Sequence, residues 1–253
     1  MSQLQARRPY QGVLQIVHFN SRKYLAAGVC TLAAALVWPL LPALGRAALL
    51  LAVAPALFWT AMSLLVSHYV YDRYPLYDFR PIARLLTQAP RRWVNIHSGW
   101  DETSERLGDV FPAASGQVVD IFDARLMTES SIHQARRVQH NAMPATRGCY
   151  YALPFEAESF DAAFSIFAAH ELRQHEQRVL LFREIARVLD PSGEFVLMEH
   201  LRDWRNFLAF GPGFLHFFSQ RAWRNAASEA GLTLETELGM TPFVHVYVLR
   251  RNV

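Results

Sequence analysis

Three short stretches of this 253-residue chain place imidazole beside carboxylate: His97 with Asp101 and Glu102, His170 with Glu171, and Glu199 with His200. Such groups exchange protons near neutral pH and also ligate iron, manganese or zinc. No spacing among them matches a named metal motif. Each stretch follows an apolar run of strand length: "WVNIH" (93–97), "DAAFSIFA" (161–168) and "EFVLME" (194–199). The carboxyl ends of neighbouring parallel strands converge on one crevice, so these residues become candidates for a shared site.

The surrounding pattern supplies such a sheet. A helix is expected from about Glu102 to Val110, a strand at "GQVVDIF" (116–122), and a helix at "MTESSIHQARRVQ" (127–139). "HEQRVLLFREIARVLD" (175–190) puts Val179, Phe182, Ile185, Ala186 and Leu189 on one helical face, with Pro191 and Gly193 ending it. A further helix at 219–231 precedes two strand candidates, "LTLETEL" and "FVHVYVLR". Alternation of this kind predicts an α/β fold with a mostly parallel sheet and helices on both faces.

"LPFEAESFDAAFSIFAAHEL", "LLFREIARVLDPSGEFVLMEH" and "AGLTLETE" resemble the class I S-adenosylmethionine-dependent methyltransferases, nearest to those that methylate quinone precursors and other small lipophilic molecules. The resemblance spans roughly Trp93 to Arg251. It implies a Rossmann-like seven-stranded sheet whose last strand is antiparallel, and S-adenosylmethionine as cofactor. The family pattern lays "VNIHSGWD" over the first-strand loop, usually an acid followed by G-x-G-x-G. Asn95 then takes the acid's place, and His97, Gly99 and Asp101 take the glycines' places. A histidine and an aspartate there cost room, and Asp101 would meet the cofactor's carboxylate with like charge. Asp120, or Asp123 if the strand shifts, matches the acid that holds the ribose, and Cys149 takes the adenine-side position. His170, Glu199 and His200 become the candidate catalytic groups.

Plainer roles stand beside these. His97 could fill the space of a lost loop, and Asp101 and Glu102 could start a helix, where carboxylates are favoured. His170 and Glu171 could be a capping pair, Arg202 and Asp203 a salt-bridged turn, and Cys149 a small buried residue. In "WRNFLAFGPGFLHFF" (204–218), Phe207, Phe210, Phe214, Phe217 and Phe218 are equally suited to a lipophilic acceptor pocket and to core packing.

The first third is different in kind. Up to Tyr71 there is no acidic residue and there are five basic ones, whereas the whole chain is +3; the rest is therefore net acidic by two. The basic balance thus belongs to the N-terminal third and not to a nucleic-acid-binding face. Two apolar stretches, Tyr24–Leu44 and Ala47–Tyr71, each reach the ~20 residues that span a hydrocarbon core. Only Gly45 and Arg46 separate them, which predicts a hairpin; a second run following at once argues against a cleaved signal peptide. Trp38, Trp59, Tyr69 and Tyr71 are candidates for the interfaces. Four basic residues precede the first run, and Arg73, Arg80, Arg84, Arg91 and Arg92 follow the second. Both ends are therefore expected on the cytoplasmic side of a bacterial-type inner membrane. Cys30 and Cys149, the two cysteines, fit a reducing compartment.

The expected organisation is a cytoplasmic segment (1–23), a transmembrane hairpin (24–71), a juxtamembrane connector (72–92) and a methyltransferase-like domain (93–253). The leading functional expectation is a membrane-anchored methyltransferase acting on a lipophilic small molecule or lipid at the bilayer. One alternative is a metal-dependent enzyme (Fe, Mn or Zn) on the same scaffold, with His97, Asp101, His170, Glu199 and His200 as ligands. A catalytically silent membrane scaffold is the other.

Overall fold

The computed structural model describes residues 9–138 and 143–252. Of the residues used above, Arg7, Arg8 and Gln139 lie outside that range. Three helices come first: α1 (Gln11–Phe19), α2 (Ser21–Val37) and α3 (Ala43–His68), the last running on through a π-helical turn at Tyr69–Arg73. A short α4 (Arg80–Ala83) precedes the sheet. Next come β1 (Arg92–His97), α5 (Ser104–Val110), β2 (Ser115–Asp120), α6 (Ser130–Val138), β3 (Thr146–Arg147) and β4 (Phe160–Ile166). The chain ends with α7 (His175–Val188), β5 (Leu189–His200), α8 (Trp204–Phe210), α9 (Gln220–Glu229), β6 (Leu232–Thr241) and β7 (Val244–Arg251).

The seven strands lie in the order β3-β2-β1-β4-β5-β7-β6. β1 pairs in parallel with β2 and β4, and β4 with β5, while β7 runs antiparallel between β5 and β6. The expected fold class is therefore present. β1 and β4 are buried along almost their whole length, as strands covered on both faces must be. Helix starts are fixed locally. A reciprocal Gln174–Gln177 capping box opens α7, Asp203 accepts from the Asn206 N–H at α8, and Ser219 accepts from the Ala222 N–H at α9. Three elements went unread in the sequence: the two-residue β3 and helices α1 and α4. The strand before Glu194 also begins earlier than expected, at Leu189, with Pro191 and Gly193 inside it.

The cores on the two faces of the sheet have different origins. One is built within the domain, where Phe182, Ile185 and Trp223 from α7 and α9 meet Val94, Ile96 and Phe195. The other draws on Val66, Val70, Leu76, Phe79, Ile82 and Leu86, all at most 8% exposed, packed with Trp93, Phe164, Val196 and Val246. Residues 72–92, expected as a headgroup-level connector, thus set Leu76, Phe79, Ile82 and Leu86 into the core while Arg73, Arg80, Arg84, Arg91 and Arg92 stay exposed. Leu76, Phe79, Ile82 and Leu86 recur at helix-like spacing, yet after Arg73 only Arg80–Ala83 is helical, so most of the segment crosses the sheet face as irregular chain.

Ser21–Leu40 and Ala43–Arg73 are long and apolar enough to cross a membrane. Twenty residues of helix span ~30 Å, about one hydrocarbon core. Helix α2 has no buried residue, and α3 buries only Val66 and Ser67 near its end. Leu25, Leu32, Leu36, Leu44, Leu51 and Phe58 are all exposed. The chain turns at Leu41 and Pro42 and not at Gly45 and Arg46; Arg46, in the first turn of α3, donates to the carbonyls of Trp38 and Pro39 just beyond α2.

Burial predicts a contrast that thermal melts in detergent can check. Ile82→Ala, at a fully buried site, should cost about 2–5 kcal/mol. Leu51→Ala, 77% exposed on α3, should stay within about 0.5 kcal/mol. Equal effects would mean that residues 72–92 do not belong to the domain core.

Candidate active site

β1, β2 and β4 end side by side, and the loops after them form a crevice. The loop after β1 contains Gly99 at φ +100°, a conformation that side chains rarely tolerate. It is organised by polar contacts with the start of α5. The Asn95 side-chain amide donates to the hydroxyls of Thr103 and Ser104, each at 2.8 Å. Asp101 Oδ1 accepts from the N–H groups of Thr103 and Ser104 at 2.9 and 3.0 Å, so it caps the start of α5. Expected to confront a bound ligand, Asp101 is instead spent on the helix. Glu102, expected to start that helix, is the one that reaches out: it accepts from Tyr77 Oη at 2.9 Å and from the Gln15 amide at 2.6 Å.

His97 is 2% exposed, and its Nδ1 accepts from the Gly99 N–H at 3.1 Å. Burial, opposed by Asp101 and Asp120 and aided by Arg136, lowers its pKa, so the ring is neutral with its proton on Nε2. That Nε2 is buried without a partner. At the tip of β2, Asp120 Oδ1 accepts from the Phe122 N–H at 2.9 Å, and Oδ2 holds the Arg136 guanidinium at 2.7 Å. Arg136 comes from α6, lies over the Phe122 ring at 4.2 Å, and passes so close to Gly99 that a Cβ there would meet its side chain at 2.8 Å. Arg136 therefore bridges the Gly99 loop and Asp120. Asp123, the alternative acid, pairs instead with Arg125 at the surface. Cys149 follows β3, exposed and not buried, in a bridge with Ala152.

The second cluster lies beyond β4 and β5. His170 Nδ1 donates to Glu199 Oε2 at 2.7 Å, while the His170 backbone N–H donates to Glu199 Oε1 at 3.2 Å. His170 Nε2 lies 3.5 Å from Glu171 Oε1. Burial alone would push the His170 pKa down, but the charge of Glu199 and the hydrogen bonds to Glu171 and Glu199 outweigh it and raise it to about 10. His170 is thus a cation at neutral pH. His216, whose ring meets that of His170 at 5.1 Å, is pushed to about 3 by burial and by that neighbouring charge.

His200 does not join this group. Its Nδ1 lies 2.9 Å from the Phe243 carbonyl, which can only accept, so Nδ1 carries the proton and Nε2 accepts from Tyr71 Oη at 2.7 Å. Burial and His170 hold its pKa near 4, and the rings of Phe167 and Phe217 stack on it. Both nitrogens are used, so His200 locks the end of α3 to the sheet. Of the five ligands expected for a metal, the structure joins only His170 and Glu199. Among the described residues the ligand-like group is His170, Glu171 and His216. Sequence reasoning missed His216 because it lies in an aromatic stretch, 46 residues from His170 along the chain.

Between the two clusters is a cavity of about 200 Å³, lined by Ser98, Trp100, Glu102, Phe167, His170 and Glu171 and roofed by α1 through Gly12, Gln15, Ile16 and Phe19. The roof is pinned. Asp72 Oδ1 accepts from the Gly12 N–H at 2.6 Å, and its Oδ2 accepts from the Val13 N–H at 3.1 Å. Phe19 meets the Trp100 ring at 5.0 Å. The five phenylalanines expected around an acceptor are elsewhere. Phe207 packs on Trp59 of α3 and on Phe214; Phe210 and Phe217 surround His200; Phe218 lies under Arg178. Arg202 and Asp203 form no pair: Arg202 donates to the Phe217 and Leu215 carbonyls, and Asp203 caps α8.

The raised pKa has a signed consequence. A histidine that titrates higher folded than unfolded stabilises the fold fully below its unfolded pKa of ~6.5, and that stabilisation is lost as pH rises towards 10. Chelator-treated wild type should therefore melt progressively lower from pH 6.5 to 10, and Glu199→Gln should flatten that slope. Parallel pH curves for the two proteins would mean that Glu199 does not hold the proton on His170.

Residues 106–197 match the methyltransferase domain family. No curated protein sequence matches the chain significantly. Among solved structures, human N-acetylserotonin methyltransferase in complex with S-adenosylmethionine superposes with TM-score 0.59 at 11% identity, over 99% of this chain and 73% of its own. An S-adenosylmethionine-dependent methyltransferase from Aquifex aeolicus gives 0.54 at 14% identity, over 71% of this chain and 92% of its own. A protein from Pyrococcus horikoshii gives 0.53 at 17% identity, over 73% and 91%. At these identities the superpositions speak for the fold. The domain match covers residues 106–197, and the seven-stranded fold is similar to that of these S-adenosylmethionine-dependent methyltransferases.

Proposed function

We propose that this protein is a membrane-anchored methyltransferase that uses S-adenosylmethionine to modify a lipophilic small molecule or lipid. The observation that carries this reading is the crevice bounded by the Gly99 loop and Asp120 on the superfamily's sheet. The residues fit the cofactor in kind. Asp120 offers a carboxylate to ribose hydroxyls, Gly99 permits close backbone approach, and His97 Nε2 is a buried polar atom awaiting a partner. Cys149 is exposed on the adenine side. Any ligand gripped by both Asp120 and the Gly99 loop must displace Arg136, whose guanidinium bridges them. The adjoining cavity of about 200 Å³ is below the ~300–1,000 Å³ of ordinary small-molecule sites, so a drug-sized ligand fills it only if its own walls give way.

When bound, S-adenosylmethionine supplies an electrophilic methyl group. The chain's contribution is to hold the acceptor and manage its proton. In the metal-free protein His170, kept cationic by Glu199, steadies an acceptor oxygen, and Glu171 accepts the acceptor's proton. Glu171 is available as an acceptor because the hydrogen bond and charge of His170 keep it ionised against the effect of burial. Alignment of the two reactants provides the main rate gain. His200, with both nitrogens engaged, is left out of this scheme.

The lipophilic acceptor and the membrane follow from the cavity roof. Ile16, Phe19, Trp100, Ile132 and Phe167 make its walls apolar, and α1 runs through Asn20 straight into α2. Trp204, Leu208 and Leu215 extend an exposed apolar surface beside α3, where Phe207 packs on Trp59. We place α2 and α3 across the inner membrane as a two-pass anchor. Arg22 and Lys23 in the first turn of α2, and Arg73, Arg80 and Arg84 after α3, then face the cytoplasm with the domain.

Calorimetric titration of S-adenosylmethionine into detergent-purified full-length protein tests the cofactor assignment. One site per chain is expected. Asp120→Ala should weaken it at least about tenfold, the value of a charged hydrogen bond of ~1.5–3 kcal/mol, and Arg136→Ala should tighten it. Absence of binding in both wild type and Arg136→Ala would reduce the superfamily relation to ancestry. Transfer of labelled methyl from S-adenosylmethionine into the organic phase of a membrane extract tests the acceptor class; label confined to the aqueous phase would exclude a lipophilic one.

A further inference from the structure

We propose that His170, Glu171 and His216 form a binding site for one divalent first-row transition ion, with Glu199 as the residue that orients His170. One ligand atom from each of the three lies within 4.8 Å of the others. An ion with ~2.0–2.1 Å bonds to nitrogen draws such a set together with small side-chain rotations. Two imidazoles and one carboxylate suit zinc, iron or manganese, whereas magnesium and calcium prefer all-oxygen sites.

Three further observations point to an ion. First, Glu171 is 6% exposed, and its Oε2 is buried with no hydrogen-bond partner. A buried carboxylate oxygen without a donor is costly unless a cation completes it. Second, Glu199 grips His170 at Nδ1, leaving Nε2 directed to Glu171. A carboxylate on the far nitrogen is the arrangement that fixes the ring and strengthens a metal-binding histidine. Third, the segments carrying the ligands are fastened together. Arg173 donates to the His170 carbonyl at 3.0 Å and the His216 carbonyl at 2.6 Å, and Arg202 donates to the Leu215 and Phe217 carbonyls on either side of His216. These two guanidiniums are cations near the site, yet both are directed at backbone oxygens.

The ion replaces the proton on His170 Nε2, so the exchange costs the site one proton and no protein contact beyond the His170–Glu171 ion pair. Three protein ligands leave coordination positions free, and His170 and Glu171 belong to the cavity wall. The site is therefore of the open kind, able to hold an oxygen atom of a cavity ligand, and unlike a closed four-ligand structural site.

The test uses full-length, tag-free protein in detergent, stripped with chelator and titrated with zinc chloride in the absence of S-adenosylmethionine. Stoichiometry is read by calorimetry and by metal analysis after gel filtration. One equivalent is expected, lost in Glu171→Gln and His216→Asn and kept in a Cys30→Ser/Cys149→Ser double variant. Glu199→Gln should weaken it about 10–100-fold, as removal of an orienting carboxylate does. Cobalt substitution adds a spectroscopic readout: visible absorption in wild type that disappears in Glu171→Gln. Should His216→Asn fail to fold, the near-isosteric Glu171→Gln decides alone. Zinc uptake well under one equivalent, or uptake unchanged in Glu171→Gln, would overturn the site. Because no cofactor is added, this outcome is separate from the cofactor test.

Discussion

A single carboxylate at the exit of the apolar hairpin determines how the N-terminal third meets the domain. The Asp72 side chain, 3% exposed, accepts from the Gly12 and Val13 N–H groups and lies 3.0 Å from His68 Nδ1. It thereby supplies, from sixty residues away, the cap that α1 lacks locally. A cap is worth ~0.5–2 kcal/mol, and a carboxylate at the positive end of a helix adds to it. Gly12 is required at this contact, since a Cβ there would come within 2.4 Å of Tyr71 Cβ. With α1 pinned at one end and continuing into α2 at the other, the roof of the cavity is held by both arms of the hairpin. The apolar segment is thus part of the site's architecture as well as a candidate anchor.

Electrostatics divides the crevice into two halves that behave differently. In one, Asp120 is satisfied by a long, partly exposed arginine, a pair of the kind whose net contribution is small and whose geometry is exchangeable. In the other, Glu199 and His170 are buried together, and removing either would strand a charge. The first half can open for a ligand at low cost. The second is rigid, a property required of groups that must align an acceptor or an ion.

His97 and Asp101 organise the loop after β1. Asp101 turned inward to cap α5, Asn95 joined it through Thr103 and Ser104, and His97 accepted the Gly99 N–H. The loop is therefore a polar network that supports its own turn. Only Gly99 keeps the left-handed backbone conformation that close approach to a ligand uses.

The sheet, its helices and the two apolar spans were legible in the sequence because each is a local periodic pattern: β1 and β4 as buried runs, α7 as one apolar face, α2 and α3 as stretches of membrane length. Convergence of His170 and Glu199 was also legible, since both end adjacent parallel strands. Three things required the tertiary structure. Helix α1 has no local cap and owes its place to Asp72. Leu76, Phe79, Ile82 and Leu86 enter the core from an otherwise mostly exposed segment because the sheet face they cover comes from farther along the chain. His200 and Asp101 left their expected roles, and His216 gained one, because the partner that decides each lies elsewhere: Tyr71 and Phe243 for His200, the start of α5 for Asp101, and His170 for His216. Periodicity fixes which face a residue takes, whereas the direction and protonation of a polar side chain depend on donors and charges that the fold brings from far along the chain.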